Sequence, residues 1–149
     1  MRKKLQNNSG FTLIEVLLVV ALISITAGFS GVLYTDYQTR NELDLTAQKI
    51  AQGIRTAQIN SQTMKDDSTW GIYMTDGEVT LFEGVDYATR NTNLDYTQTV
   101  SNRVSHSGIG EIVFSKYYGV PSTTGTIDLT TPNNGAVQIT INEKGIVDY

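Results

Sequence analysis

The apolar pattern of this chain begins with one long run. Residues 11–34 are almost continuously apolar. As a helix rising about 1.5 Å per residue they would extend ~36 Å, enough to cross a hydrocarbon core of ~30 Å. Basic residues at positions 2–4 precede the run, and Asp36 follows it. The positive-inside rule therefore predicts a transmembrane helix over residues 11–34, with residues 1–10 in the cytoplasm and the remainder outside it.

A helical stripe with a different pattern follows the run. Apolar residues recur at spacings of four, three, four and three, which places them on one face of an amphipathic helix that we expect to reach about Met64. Gly28 and Gly31 lie near the end of the apolar run, and they leave open whether the helix is continuous, bent or broken there. The stripe consists of Leu43, Ala47, Ile50, Ile54 and Ala57.

From Asp66 onward the pattern is that of short strands. Asp76-Gly77 separates two apolar runs and predicts a hairpin with positive φ at both turn residues. Packing the apolar face of an antiparallel sheet on the stripe predicts an α+β fold, in which a long N-terminal helix covers the sheet. Residues 84–110, rich in Thr, Asn, Ser and Gly, are expected to be irregular and exposed. The expected strands are Trp70–Met74, Val79–Phe82, Leu94–Val100, Ile112–Phe114, Gly125–Leu129, Ala136–Ile141 and Ile146–Tyr149.

Composition narrows the possible functions. The 149 residues include no cysteine, so neither a disulfide framework nor a thiolate metal site is available. Three of the eleven basic residues lie at positions 2–4, which leaves eight basic against fifteen acidic residues in the rest of the chain. These cations are scattered singly along the sequence. The excess of acidic over basic residues and the scatter of the basic ones argue against a nucleic-acid partner, because phosphate binding needs clustered Lys and Arg.

Catalytic and metal-binding patterns are weak. His106 is the only histidine and is expected to lie in a solvated loop. Asn91, Asn93 and Asp95 have the one-three-five spacing of a calcium loop, but the glycine and glutamate of its sixth and twelfth positions are missing, so we interpret them as turn residues. We predict no enzyme activity, no metal and no cofactor.

Aromatic residues suggest a possible recognition patch. Trp70 and the pair Tyr117-Tyr118 could present one, but aromatic residues in strands more often fill a face of the sheet, and that is the interpretation we adopt.

One carboxylate interrupts the apolar run. A charge at mid-membrane costs ~2.5–3.5 kcal/mol, so Glu15 is by default a functional residue. Thr12, three residues earlier, would also allow a capping box, and the two roles are compatible. The alternative for the whole run is a conventional signal peptide cleaved near Ser24–Gly28. This alternative fits less well, because the run is longer than the ~7–15-residue apolar region of a signal peptide and contains this charge.

The residues around this carboxylate carry a specific resemblance. The segment Ser9-Gly10-Phe11-Thr12-Leu13-Ile14-Glu15-Val16 resembles the type III signal sequence of type IV pilins and type II secretion pseudopilins. The resemblance implies cleavage by a prepilin peptidase after Gly10 and N-methylation of Phe11. It also implies an assembly role for Glu15, which would neutralise the N-terminal amine of a neighbouring subunit. Many members have a kinking proline near mature position 22, where this chain has Val32.

A second resemblance covers the C-terminal half. Ile112-Val-Phe114, Gly119, Gly125-Thr-Ile127-Asp-Leu129, Ala136-Val-Gln-Ile139-Thr-Ile141 and Gly145 resemble the GspH/FimT-type minor pseudopilin and minor pilin domain. It implies a minor, priming or tip-located subunit of a type IV pilus or a type II secretion pseudopilus. The implied partners are prepilin peptidase, other pilin or pseudopilin subunits, the inner-membrane assembly platform and the lipid bilayer.

The two resemblances imply a division of the chain and a location. Residues 1–10 would be a removed leader, 11–34 the transmembrane and filament-core helix, 35–64 its amphipathic half, and 65–149 a β-rich domain. The protein would be a single-pass protein of the inner membrane before it enters a filament. Two other classes stay open: a filament-displayed binding module for an adhesive target, a secreted substrate or DNA, and an ordinary secreted β domain or exported enzyme.

Overall fold

A computed structural model of the protein describes the backbone of residues 10–149 and the side chains of residues 10–28 and 37–149. The leader residues 1–9 and the side chain of Val32 therefore lie outside the described part. The chain divides into two compact units, Met1–Asp36 and Tyr37–Tyr149. Helix α1 (Leu13–Gln62) contributes residues to both.

The second unit contains two antiparallel sheets of four strands each. Sheet A has the order β3-β2-β1-β5, and sheet B has the order β4-β6-β7-β8. This arrangement confirms the predicted α+β class, with a helix packed on antiparallel sheets. The strands are β1 (Trp70–Thr75), β2 (Glu78–Glu83), β3 (Tyr96–Thr99), β4 (Ser105–Gly108), β5 (Glu111–Phe114), β6 (Gly125–Thr130), β7 (Ala136–Ile141) and β8 (Val147–Asp148).

A single core joins the helix to both sheets. The five residues of the predicted stripe are all buried. They form one cluster with Trp70, Ile72 and Met74, which alternate along β1, and with apolar residues of β6, β7 and β8. Because every member of this cluster lies between residues 43 and 147, the second unit has a hydrophobic core of its own.

The first hairpin has the predicted strands but a different turn. Thr75 pairs with Glu78, which leaves Asp76 and Gly77 as a two-residue turn. Only Gly77 has a positive φ, at 97°, so the expectation of a positive φ at Asp76 was wrong. A positive φ at the second central residue alone is the pattern of a type II turn.

Residues 84–110 are more ordered than their composition suggested. They contain β3 and β4, and Val100 and Val104 are buried in the core cluster. The expectation of an irregular, exposed stretch was therefore wrong for these parts. β4 pairs with β6 along its whole length, and this pairing supplies the partner that its polar sequence did not indicate.

Candidate functional site

The bond between Gly10 and Phe11 lies in exposed, non-helical backbone. Helix α1 begins two residues later, at Leu13, and the Phe11 side chain is 84% exposed. A Cβ atom added at Gly10 would meet no other atom within 4 Å. A protease needs accessible backbone that is not held in a helix, and the backbone at this bond is exposed and lies outside α1.

Thr12 caps the helix that follows. Its Oγ1 accepts a hydrogen bond from the backbone N–H of Glu15 at 3.3 Å. This is one half of the predicted capping box. Glu15 itself lies in the first turn, where a negative charge is favoured by the helix dipole. Among the described residues, its carboxylate takes part in no ion pair.

The first turns of α1 present apolar side chains on every side. The large apolar residues from Leu13 to Ile25 are all exposed. The hydroxyls in this stretch bond to their own helix, Ser24 to the carbonyl of Val20 and Thr26 to those of Leu22 and Ile23. A segment whose large side chains are apolar all round and whose hydroxyls bond to its own carbonyls is suited to an apolar environment.

No helix within the described residues is both long enough and apolar enough to cross a bilayer. The side chains of residues 29–34, the last part of the predicted span, lie outside the described residues.

The single histidine lies in a strand, not in a loop as predicted. His106 is part of β4 and pairs with Leu129 of β6. Asp76 lies in the turn between β1 and β2 of sheet A. Its Oδ1 accepts a hydrogen bond from the backbone N–H of His106 at 3.1 Å and lies 2.9 Å from Nδ1 of the His106 ring. These hydrogen bonds lower the pKa of the Asp76 carboxyl. The pair joins a turn of one sheet to a strand of the other.

The residues with calcium-like spacing lie in the loop between β2 and β3. Asn91 Oδ1 accepts a hydrogen bond from the N–H of Asn93 at 3.3 Å, and Asp95 pairs with Arg90 at 2.8 Å. The hydrogen bond to Asp95 raises the pKa of Arg90. The guanidinium of Arg90 lies 3.6 Å from the ring centre of Tyr87, so these residues hold the loop together. Within the described residues, no group of three acidic, histidine or cysteine side chains is arranged to hold a metal.

The candidate aromatic residues have separate locations. Trp70 is buried at the start of β1, where its indole N–H donates to the carbonyl of Lys65 at 3.0 Å. Tyr117 and Tyr118 lie in the turn after β5 and are 66% and 78% exposed. The expectation that aromatic residues fill a sheet face was thus wrong for these two.

Comparison with known proteins gives three findings. A model of the prokaryotic N-terminal methylation motif matches residues 5–31. No curated protein matches the chain. Two solved structures of the minor pseudopilin EpsH from the type 2 secretion system of Vibrio cholerae have the same fold, each with a TM-score of 0.53. They are 13% and 10% identical to this chain, cover 72% and 73% of it, and are themselves covered to 94% and 93%.

These findings agree with the site geometry. The matched motif includes the exposed Gly10–Phe11 bond and the start of α1, and the fold over 72% of the chain is similar to that of a minor pseudopilin. The chain carries the prokaryotic N-terminal methylation motif, and its fold is similar to that of a minor pseudopilin.

Proposed function

We propose that the protein is a structural subunit of a type IV pilus or a type II secretion pseudopilus. It is cleaved by prepilin peptidase after Gly10, methylated at Phe11 and assembled through helix α1. The observation that carries the proposal is the start of this helix: an accessible, non-helical bond followed at once by an exposed apolar segment with one charge, Glu15.

The charge gives the assembly step its chemistry. Cleavage leaves a positive amine on Phe11 at the end of an apolar helix. A carboxylate and an ammonium are each costly in an apolar environment, and each costs less when they pair. Glu15 of one subunit and the amine of a neighbour therefore neutralise each other as the helices pack together.

The topology follows from the same segment. Before assembly, residues 11–34 cross the inner membrane once, with the N-terminus in the cytoplasm and the β-rich unit on the other side. The peptidase acts on the cytoplasmic side, and the assembly platform of the inner membrane then moves the subunit into the filament. The likeness to a minor pseudopilin favours a minor subunit that primes the filament or lies at its tip.

The N-terminus of the native protein tests the processing step. We expect the intact mass of membrane-extracted protein to correspond to a chain that begins at N-methylated Phe11. Gly10→Val should leave the uncut precursor in the membrane, whereas Gly28→Val, its matched control, should be processed normally. A mature chain that begins near Ala27 to Gly31, with cleavage blocked by the Gly28 variant, would replace the proposal with a conventional signal peptide.

A second experiment separates the charge of Glu15 from its capping role. Glutamine can take the place of glutamate in a capping box but has no charge. Glu15→Gln should therefore leave processing and membrane insertion intact and abolish assembly, measured as filament-bound subunit. Thr12→Ala removes the cap, keeps the charge, and should still assemble. Normal assembly of the Gln variant would reduce Glu15 to a helix cap.

A further inference from the structure

The turn between β6 and β7 contains the only asparagine of the chain that directly precedes a glycine. The pair is Asn134-Gly135, and the side chain of Asn134 is exposed. In such a pair the backbone nitrogen of the glycine can attack the side-chain amide of the asparagine, because glycine has no Cβ to hinder the approach. The pair is therefore a candidate site of chemical modification.

The fold requires both residues of this pair. Asn134 has a φ of 58°, in the left-handed region that asparagine enters more readily than most residues. A Cβ added at Gly135 would lie 2.7 Å from Oγ1 of Thr131 and 3.3 Å from Cδ2 of Leu43 on α1. Most other residues would be strained at position 134, and any side chain at position 135 would crowd Thr131. The reactive pair is thus a consequence of how this turn packs on the helix.

Thr131 holds the nitrogen that would attack. Its Oγ1 accepts a hydrogen bond from the N–H of Gly135 at 3.1 Å, and its own backbone N–H donates to the carbonyl of Gly135 at 2.9 Å. The N–H of Asn134 donates to the carbonyl of Thr131 at 3.1 Å. Attack requires the Gly135 nitrogen to lose its proton and to turn toward the Asn134 side chain. The bond from Gly135 to the buried Thr131 hydroxyl must therefore break first.

Two related pairs in the chain are better protected. Asn60 precedes Ser61 within α1, where the helix fixes the backbone and Ser61 is fully buried. Asp76 precedes Gly77, but hydrogen bonds from the backbone N–H and the ring of His106 lower the pKa of the Asp76 carboxyl. That carboxyl is therefore ionised at neutral pH, and a carboxylate is a poor target for a nucleophile.

We propose that Asn134 is a site of spontaneous deamidation, and that the hydrogen bond between Gly135 and Thr131 sets its rate. The Gly135 nitrogen forms a bond to Cγ of Asn134, the Cγ–Nδ2 bond breaks, and ammonia leaves with the proton of the Gly135 nitrogen. Water then opens the resulting succinimide ring at either of its carbonyls. The product is aspartate, or isoaspartate, in which the main chain runs through the side-chain carbons.

The modification changes the turn in two ways. Either product adds a negative charge, and isoaspartate also lengthens the main chain by one carbon between residues 134 and 135. The longer chain cannot keep both backbone hydrogen bonds of Thr131, to Asn134 and to Gly135, at their present lengths. We therefore expect the isoaspartate form to melt at a lower temperature than the unmodified chain.

Timed incubation of the full-length, detergent-extracted protein tests the site. The folded protein is kept in mildly alkaline buffer made with heavy-oxygen water, and its peptides are mapped by mass spectrometry with electron-transfer fragmentation. We expect label to enter at residue 134 faster than at any other asparagine, with aspartate and isoaspartate both present. Asn134→Gly, which tolerates the left-handed backbone, should take up no label there. Asn93→Ser alters another exposed asparagine and should react at residue 134 as the wild type does.

Thr131→Val tests the role of the hydroxyl. Valine keeps the shape of threonine and removes the acceptor of the Gly135 N–H. One neutral hydrogen bond corresponds to roughly a two- to tenfold change in rate, so Thr131→Val should deamidate faster by about that factor. Thr131→Ser keeps the hydroxyl and should react at the wild-type rate. All rates are measured below the melting transition, which the fluorescence of the buried Trp70 reports.

Two results would overturn the proposal. Label at residue 134 in the urea-unfolded chain but not in the folded one would reject Asn134 as a modification site of the native protein. Equal rates in the wild type and Thr131→Val would reject the control of the rate by Thr131.

Discussion

Gln58 offers a direct test of how the helix holds the loops at its end. Its Nε2 donates two hydrogen bonds, to the carbonyl of Lys144 at 2.8 Å and to that of Gly119 at 3.0 Å. Replacing Gln58 with Met preserves the length of the side chain and removes both donors. Each hydrogen bond contributes about 0.5–1.5 kcal/mol, so we expect the free energy of unfolding to fall by about 1–3 kcal/mol. Gln58→Glu should lose more, because its carboxylate would face two carbonyl oxygens.

Equilibrium unfolding in urea gives the measurement. Trp70 is the only tryptophan and is buried, so its fluorescence reports on unfolding of the second unit. The midpoint should fall with little change in the slope m, because the surface exposed on unfolding is unchanged. Gln52→Met is the matched control, since Gln52 is exposed on the same helix. Equal stability of Gln58→Met and Gln52→Met would show that the two contacts contribute nothing.

Three further predictions concern the core and the contact between the sheets. Gly71→Ala places a Cβ 2.5 Å from Cζ of Phe82, and this overpacking should cost about 1–3 kcal/mol in urea unfolding. Ile54 is fully buried, and Ile54→Ala should cost about 2–5 kcal/mol; a loss below 1 kcal/mol would contradict the packing described. Because the hydrogen bonds from His106 lower the pKa of Asp76, the stability they confer is present above the carboxyl's ordinary value of 3.8 and is lost as the pH falls below it. Asp76 is 56% exposed, so this contribution is at most about 1 kcal/mol, and Asp76→Asn should remove it from the pH dependence of the melting temperature.

The elements with a clear period could be predicted from the sequence. In a strand, alternate residues face opposite sides, so the apolar positions of β1 indicated both the strand and its buried face. Ala136–Ile141 begins and ends at the predicted residues for the same reason. On the helix, the spacing of four and three marked the residues that the structure buries in one cluster with residues of both sheets.

Elements that depend on distant partners could not be predicted in this way. The sequence of β4 is Ser105-His106-Ser107-Gly108, which has no apolar alternation and no β-branched residue. It forms a strand because β6 supplies an edge to pair with, and tertiary context commonly overrides local preference in sheets. The contact between His106 and Asp76 joins residues 30 positions apart, and no local pattern indicates it.

The processing segment and the turn at Tyr117 differ in the same respect. Processing acts on a linear segment, so the residues from Gly10 to Glu15 carry most of its signal in their order along the chain. The turn at Tyr117 exists only in the folded chain, where the N–H of Tyr117 donates to the carbonyl of Ser61 and its φ is 77°. Local preference would place a tyrosine in a strand, so only the contact with a distant part of the chain could have indicated this turn.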